Sequence, residues 1–311
     1  MEKNTRVGVL MGGMSTERPV SLKSGKAVLK ALKSRGWNAV GIDVGPDLPS
    51  RLREEQVEIA WIALHGQFGE DGCVQGLLEI LRIPYTGSSA SASAAAMDKI
   101  TTKRLLLGSG IPMPKDTTWR KGEPIPELVS YPVVAKTPEG GSTLGIQICA
   151  DRAALELALE ELQEMDDEVL LEDFVEGREI TVAVLDGQAM PVVEIVPESG
   201  FFDFEAKYTE GCTRYLVPAP LDEEVAEAAQ RHAVESYTKM GLSGIARADF
   251  IVDSEGVPVF LEINTIPGMT ATSLSPMAAA ETGISFEELV ERLLLGSRLY
   301  LDDRRSLAKL P

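Results

Sequence analysis

Residues 247–269 read R-A-D-F-I-V-D-S-E-G-V-P-V-F-L-E-I-N-T-I-P-G-M. Two runs rich in β-branched and aromatic residues flank Asp253-Ser254-Glu255-Gly256, a group of turn-formers, so the stretch reads as a β-hairpin. If Val252 and Val257 close the loop, the alternation of side chains along a strand puts Ala248, Phe250, Val252, Val257, Val259, Leu261 and Ile263 on one apolar face. The other face then carries Arg247, Asp249 and Ile251 beside Phe260, Glu262 and Asn264, with Asp249 and Glu262 one diagonal step apart. Two readings fit that second face. One is a solvated outer surface with ordinary charges. The other is a hard-cation site, because two carboxylates and an amide offer the oxygen ligands that Mg²⁺ takes alongside waters and substrate phosphates. The face lacks Lys, Thr and Ser, and an Asn-Thr-Ile-Pro-Gly loop follows it, which favours the metal platform.

Working outward, 311 residues predict roughly two or three domains with a sizeable core. Composition is that of a globular protein, 44% hydrophobic and 25% charged, and the net charge of -18 argues against a nucleic-acid partner or an anionic membrane surface. Cys73, Cys149 and Cys212 are odd in number and scattered, which disfavours a disulfide framework or a zinc site and suits a reducing cytoplasm. No apolar run reaches membrane-spanning length, and M-E-K-N-T-R leads into a strand without a signal-peptide core.

In the first part, Arg6 to Met11 reads as a buried strand, Gly12-Gly13 as a turn, Pro19 to Ser34 as a helix and Trp37 to Val44 as a second strand. This β-α-β unit belongs to a parallel sheet, with ligands expected beyond the carboxyl ends of its strands. The glycines do not form G-x-G-x-x-G. Glu17 stands where the loop enters the helix, a place where a carboxylate is also favoured by the helix dipole alone. His65 ends the strand Ile59 to Leu64, while His232 reads as a surface residue of a polar helix. Ile83 to Gly87 reads as a further strand.

Beyond a helix opening at Met97-Asp98-Lys99, Tyr131 to Lys136 is a strand that leads through the Gly-rich run Thr137 to Gly145 into a returning strand, Ile146 to Cys149. Such a tip can donate backbone N–H groups to phosphate oxygens or be a mobile surface hairpin, and Lys136 at the strand end favours phosphate. Phe201 to Pro220 has no strand or helix pattern, and loops of that length in compact domains tend to be functional. Lys207 and Tyr208 are its reactive-group candidates.

Several runs occur in one order along nearly the whole chain: M-G-G-M-S-T-E-R at 11–18, A-L-H-G-Q-F-G-E-D-G at 63–72, M-D-K at 97–99, V-V-A-K at 133–136, E-G-G-S-T-L-G at 139–145, E-A-K-Y at 205–208, R-A-D-F at 247–250 and E-I-N-T-I-P-G-M-T-A-T-S-L at 262–274. Together they resemble the D-alanine–D-alanine ligases of the ATP-grasp superfamily. The resemblance implies a mixed α/β and α+β ATP-grasp fold with an N-terminal Rossmann-like domain, divided at 1–97, 98–180 and 181–311. It implies ligation of two D-alanines with ATP for peptidoglycan, two Mg²⁺ ions (or Mn²⁺), a homodimer and a cytoplasmic setting.

Carried over residue by residue, the resemblance puts Lys99, Lys136, Ser142 and Lys207 at the nucleotide phosphates, Glu172 and Val175 at adenine, and Glu179 at the ribose. Asp249, Glu262 and Asn264 would hold the metal. Glu17 would bind the first D-alanine's ammonium with His65 near its carboxylate, and Ser273 and Leu274 would receive the second D-alanine. Glu17, Ser142 and Tyr208 would form a hydrogen-bonded triad, while Arg247 and the Gly268 N–H would stabilise an oxyanion. The run Thr137-Pro138-Glu139-Gly140-Gly141 departs from the Pro-Ser-Arg type common there. The rival expectations are a D-alanine–D-lactate ligase, disfavoured by Tyr208, a non-catalytic nucleotide-binding regulator, and a dinucleotide-dependent dehydrogenase, which lacks its glycine fingerprint.

Overall fold

The computed structural model describes residues 1–127, 130–140, 145–197 and 213–301. The chain opens with β1 (Arg6–Gly12), whose Val7, Val9 and Leu10 are fully buried. Parallel partners β2 (Asn38–Val44) and β3 (Ile59–Ile62) flank it in the order β2-β1-β3. Helix α1 (Arg18–Ser34) crosses between β1 and β2 with a proline in its first turn. Gly25 lets it lie close to the sheet, since a Cβ there would come within 2.3 Å of the Met11 Cβ. A short helix not foreseen from the sequence, α2 (Leu48–Glu54), buries Leu48 and Leu52.

The expected strand Ile83 to Gly87 is instead two isolated bridges, from Tyr85 to Ala60 and to Arg298. Pro84 has no N–H for a ladder, and Gly87 turns the chain at φ +91°. Past α3 (Cys73–Leu81), two helices meet at Asp98: α4 (Ala90–Met97), capped by the Ser89 hydroxyl, and α5 (Lys99–Leu106), whose Thr101 N–H donates to the Asp98 carboxylate at 2.7 Å.

A second, antiparallel sheet holds β4 (Asp116–Arg120), β5 (Val133–Lys136), β6 (Ile146–Cys149) and β7 (Glu168–Asp173) in the order β4-β7-β5-β6. Helix α6 (Arg152–Leu162) covers one face, packing Leu155, Leu159 and Leu162 on Trp119, Val133, Ala135, Val169 and Leu171. Alternation sends Lys136 and Glu172 to the opposite face.

The third sheet carries the hairpin. It contains β8 (Arg178–Leu185), the short β9 (Gln188–Ala189), β10 (Val193–Pro197), β11 (Thr213–Leu216), β12 (Ile245–Val252) and β13 (Pro258–Asn264), ordered β11-β10-β8-β12-β13 with β9 beside β8. Strand β11 lies inside the run read as structureless, and it pairs with β10 through Ile195 and Tyr215. One sheet face buries Ile180, Val182, Ala248, Phe250 and Phe260 against the helix Glu223–Lys239. His232 of that helix is half-buried rather than on the surface. The other face packs Ala183, Leu185 and Val193 toward α1 and the helices Leu274–Glu281 and Phe286–Leu295, so the first and third sheets share one apolar core.

The hairpin's register differs from the expectation. Asp253 and Val257 close the turn, with Asp253 N–H donating to the Val257 carbonyl at 3.1 Å. Phe250 pairs with Phe260, but Asp249 pairs with Glu262, so a bulge at Leu261 shifts the ladder by one residue. Phe260 is therefore in the core, edge-on to Phe250 at 5.6 Å, and not on the polar face. Asp249 and Glu262 stand directly opposite rather than diagonally.

Candidate active site

Residues two apart on a strand share a face, so β12 presents Arg247 and Asp249 together. Arg247 Nε donates to Asp249 Oδ1 at 2.9 Å and Nη2 to Oδ2 at 2.7 Å, while the Thr181 hydroxyl, opposite on β8, donates to Oδ1 at 2.6 Å. Burial works against the Arg247 charge, yet Asp249 outweighs it and holds the guanidinium above its ordinary pKa. The Asn264 amide lies with its nitrogen donating to Glu70 Oε1 and its oxygen accepting from Arg247 Nη2, both at 3.0 Å. Lys99 Nζ sits 3.4 Å from Glu262 Oε2 and donates to the Gly140 carbonyl at 2.8 Å, joining the hairpin to the root of the Gly-rich run.

This hairpin forms one wall of a cleft of about 610 Å³. Arg247, Glu262 and Asn264 face it from β12 and β13, Lys99 from α5, and Glu17 and His65 from the carboxyl ends of the first sheet. Gly268, Ser273 and Leu274 close it from the loop after β13. Thr270 N–H donates to Ser273 Oγ at 3.1 Å, which folds that loop over the start of the helix Leu274–Glu281.

Glu17 caps α1 by position only, for its side chain makes no cap bond to the helix. Its carboxylate lies against Gly66, where a Cβ would fall 2.6 Å from Glu17 Oε2. His65 is buried, and that burial takes its pKa down to about 4, so the imidazole is neutral. Its Nε2 lies 3.1 Å from the Ser24 hydroxyl, which also accepts Met269 N–H at 3.2 Å. The ring therefore ties α1 to the loop bearing Gly268. Glu70 is buried beside Glu17, and burial first, then that neighbour, push its carboxyl up to about 8.

A separate group forms on the open face of the second sheet. Glu172 Oε2 lies 2.5 Å from Lys136 Nζ, and Oε1 accepts from Lys103 Nζ at 2.7 Å. Burial opposes its charge, but the two lysines hold its pKa below the ordinary value. Val175 follows β7, and Glu179, the second residue of β8, lies on the side of the sheet that carries Thr181 and Asp249. Ser142, Lys207 and Tyr208 lie outside the described residues.

The cleft thus brings together Glu17, His65, Lys99, Arg247, Glu262, Asn264, Gly268, Ser273 and Leu274, with Asp249 held just behind by Arg247. Lys136, Glu172, Val175 and Glu179 do not line it. Sequence reasoning missed Glu70, Thr181, Ser24 and Lys103. Lys103 alone left a signal, its one-turn spacing from Lys99 on α5.

The donor set suits Mg²⁺. Asp249 and Glu262 present carboxylates from adjacent strands, and Asn264 adds an amide. Among the described residues no cluster of three or more His, Cys, Asp and Glu forms a cage. One carboxylate in the cleft and a second just behind it, with phosphate and water completing the shell, match this ion's preference.

A three-stranded parallel sheet followed by two antiparallel sheets, with a charged cleft where they meet, defines an ATP-grasp protein. Residues 113–295 match the family described as D-ala D-ala ligase C-terminus, and 46–88 match D-ala D-ala ligase N-terminus. The D-alanine–D-alanine ligase of Syntrophotalea carbinolica is 51% identical over 295 residues, spanning 94% of this chain and 96% of its own length. That of Geobacter sulfurreducens is 48% identical over 301 residues, spanning 96% and 95%. The crystal structure of the Bacillus anthracis ligase complexed with ATP superposes with a TM-score of 0.84 at 32% identity, covering 97% of this chain and 99% of that one. The chain belongs to the D-alanine–D-alanine ligase family.

Proposed function

We propose that this ATP-dependent ligase, which joins two D-alanines for peptidoglycan precursors, carries out its chemistry in the cleft between the first and third sheets. The observation that carries this reading is the cluster of Arg247, Asp249, Glu262 and Asn264 on one wall, facing Glu17 and His65 on the other. A carboxylate is a poor electrophile, so the first D-alanine is activated by ATP as an acyl phosphate. Glu17 holds its ammonium, while neutral His65, bonded to Ser24, shapes the pocket for its carboxylate. Lys99 and Lys136 neutralise the polyphosphate, a task the family resemblance also gives to Ser142 and Lys207, and catalysis of phosphoryl transfer is then mainly positioning and charge neutralisation.

Asp249, Glu262 and Asn264 hold two Mg²⁺ ions, or Mn²⁺, which supply charge neutralisation at the phosphates when bound. The second D-alanine, seated at Ser273 and Leu274, attacks through its neutral amine. Arg247 and the Gly268 N–H meet the oxyanion, and phosphate leaves. Glu172 and Val175 take the adenine and Glu179 the ribose. The family resemblance gives Tyr208 and Ser142 a triad with Glu17, whose part is to keep out water, which would hydrolyse the acyl phosphate.

The reading divides the chain at 1–97, 98–180 and 181–311 and includes a cytoplasmic homodimer. No described helix is long and apolar enough to cross a membrane. ADP release measured with D-alanine, L-alanine and D-lactate offered separately tests it. Release that depends on D-alanine, with matching dipeptide, supports the reading, and ATP binding without such release overturns it.

A further inference from the structure

Lys103 sits one helical turn beyond Lys99 on α5 and points to the other sheet. It is buried, and its three N–H groups have three acceptors: the Pro114 carbonyl at 2.8 Å, Glu172 Oε1 at 2.7 Å and Asp116 Oδ1 at 2.9 Å. An ammonium so committed has no donor left for a phosphate. Lys136 differs, because Glu172 Oε2 at 2.5 Å is its one acceptor among the described residues. The result is a relay of alternating charge, Asp116–Lys103–Glu172–Lys136, buried from Lys103 onward and exposed at Asp116, with one lysine closed and the other open.

We propose that Lys103 is a positioning residue for nucleotide binding: by holding one oxygen of Glu172 it keeps that carboxylate shared between two lysines, which leaves the Lys136 ammonium available to a polyphosphate. The proposal rests on the assignment of Lys136 to the ATP phosphates. Without Lys103, Glu172 is a buried carboxylate with a single cation. It then draws Lys136 into a closed one-to-one pair, because a buried charge must be compensated. A polyphosphate has to break that pair to bind. Lys103 itself lines neither the cleft nor the D-alanine subsites, so the effect is confined to the nucleotide.

Initial rates of the full chain with ATP and D-alanine varied separately test this. Lys103→Met should raise the KM for ATP about tenfold or more, equivalent to about 1.4 kcal/mol. The KM for D-alanine and kcat at saturating ATP should stay within roughly twofold, the split expected when only ground-state binding of the nucleotide is weakened. Lys103→Arg, which keeps the charge, should recover most of the lost ATP affinity. Asp116→Asn, at an exposed position where folding is not at risk, should act in the opposite sense: it leaves Lys103 to Glu172 and keeps the KM for ATP unchanged or lower.

An unchanged ATP KM in Lys103→Met overturns the proposal, as do a parallel rise of both KM values, a failure of arginine to rescue, or a KM rise in Asp116→Asn. Lys136→Met separates the two readings. If it leaves ATP binding intact, the phosphate role of Lys136 falls and the proposal falls with it. If it weakens ATP binding while Lys103→Met does not, only the positioning role is lost.

Discussion

Arg247 and Asp249 stand two residues apart on one strand and form a bidentate ion pair, with contacts of 2.9 and 2.7 Å. Both side chains are largely buried, so each charge depends on the other. Thr181 donates to the same carboxylate from β8, fixing its rotamer from a second direction. The pair makes Asp249 a member of the hairpin's structure as well as of its proposed chemistry, whereas Glu262 across the ladder is more open and meets Lys99 at 3.4 Å.

The two carboxylates should therefore fail differently. Asp249→Asn leaves a buried guanidinium with weakened compensation and should cost on the order of 3 kcal/mol of stability in addition to turnover. Glu262→Gln should cost under about 1 kcal/mol, because its partner contact is long and the side chain is partly exposed. Turnover of Glu262→Gln should nonetheless fall by roughly a hundredfold or more, with the Mg²⁺ dependence moved to higher concentration. Urea melts and metal titrations of the two variants check this, and equal stability losses would contradict the distinction.

Much of this wall is legible in the sequence, and the parts that are not share a physical cause. The turn-formers at 253–256 and the flanking β-branched runs mark the hairpin, and alternation alone puts Arg247 and Asp249 on one face. Val259, Phe260 and Leu261 are all apolar, so that run carries no phase, and the bulge that moves Phe260 into the core leaves no trace in it. Thr181 and Asp249 are 68 residues apart, and only the β8–β12 register brings them together. Glu70 and Ser24 are legible for the same reason only in three dimensions. Thr213 to Leu216 has no clean alternation, and its strand character comes from pairing with β10.

Gly66 adopts φ +68°, and a Cβ there would lie 2.6 Å from Glu17 Oε2. Gly66→Ala should cost about 1 kcal/mol for the left-handed backbone and also displace the Glu17 carboxylate. The expected kinetic result is a several-fold higher KM for the first D-alanine, with the KM for ATP unchanged. A change confined to ATP would contradict the placement of Glu17 at the amino-acid subsite.

His65 gives a pH dependence with a definite sign. Burial lowers its pKa from 6.5 to about 4, so the folded protein resists protonating a ring that the unfolded chain protonates readily. The stability tied to this group is fully present above pH 6.5 and is lost progressively as pH falls from there to about 4. Between pH 7 and pH 5 the loss should be about 2 kcal/mol. His65→Gln should flatten that segment of the stability curve, as read from urea midpoints at both pH values. An equally steep curve in the variant would show that other groups carry the acid response.

Glu79 anchors the last described segment of the chain. Its buried carboxylate accepts from the Tyr85 hydroxyl at 3.0 Å, from Tyr300 N–H at 2.8 Å and from Leu301 N–H at 3.3 Å. Tyr300 packs on Tyr85 with the rings tilted by 42° and 5.7 Å between their centres, and Arg298 lies 4.6 Å over the Tyr300 ring. Glu79→Ala strands a buried hydroxyl and two backbone donors, which should cost about 2–3 kcal/mol. Neither Glu79 nor Tyr300 lines the cleft, so turnover below the melting range should remain within about twofold. Hydrogen exchange at Tyr300 and Leu301 should accelerate ahead of the sheet amides, because their acceptor is gone while β1 and β3 keep theirs. Unchanged exchange there, with a lower melting temperature, would mean that the stability resides in the Tyr85–Tyr300 ring contact and that the carboxylate contributes little.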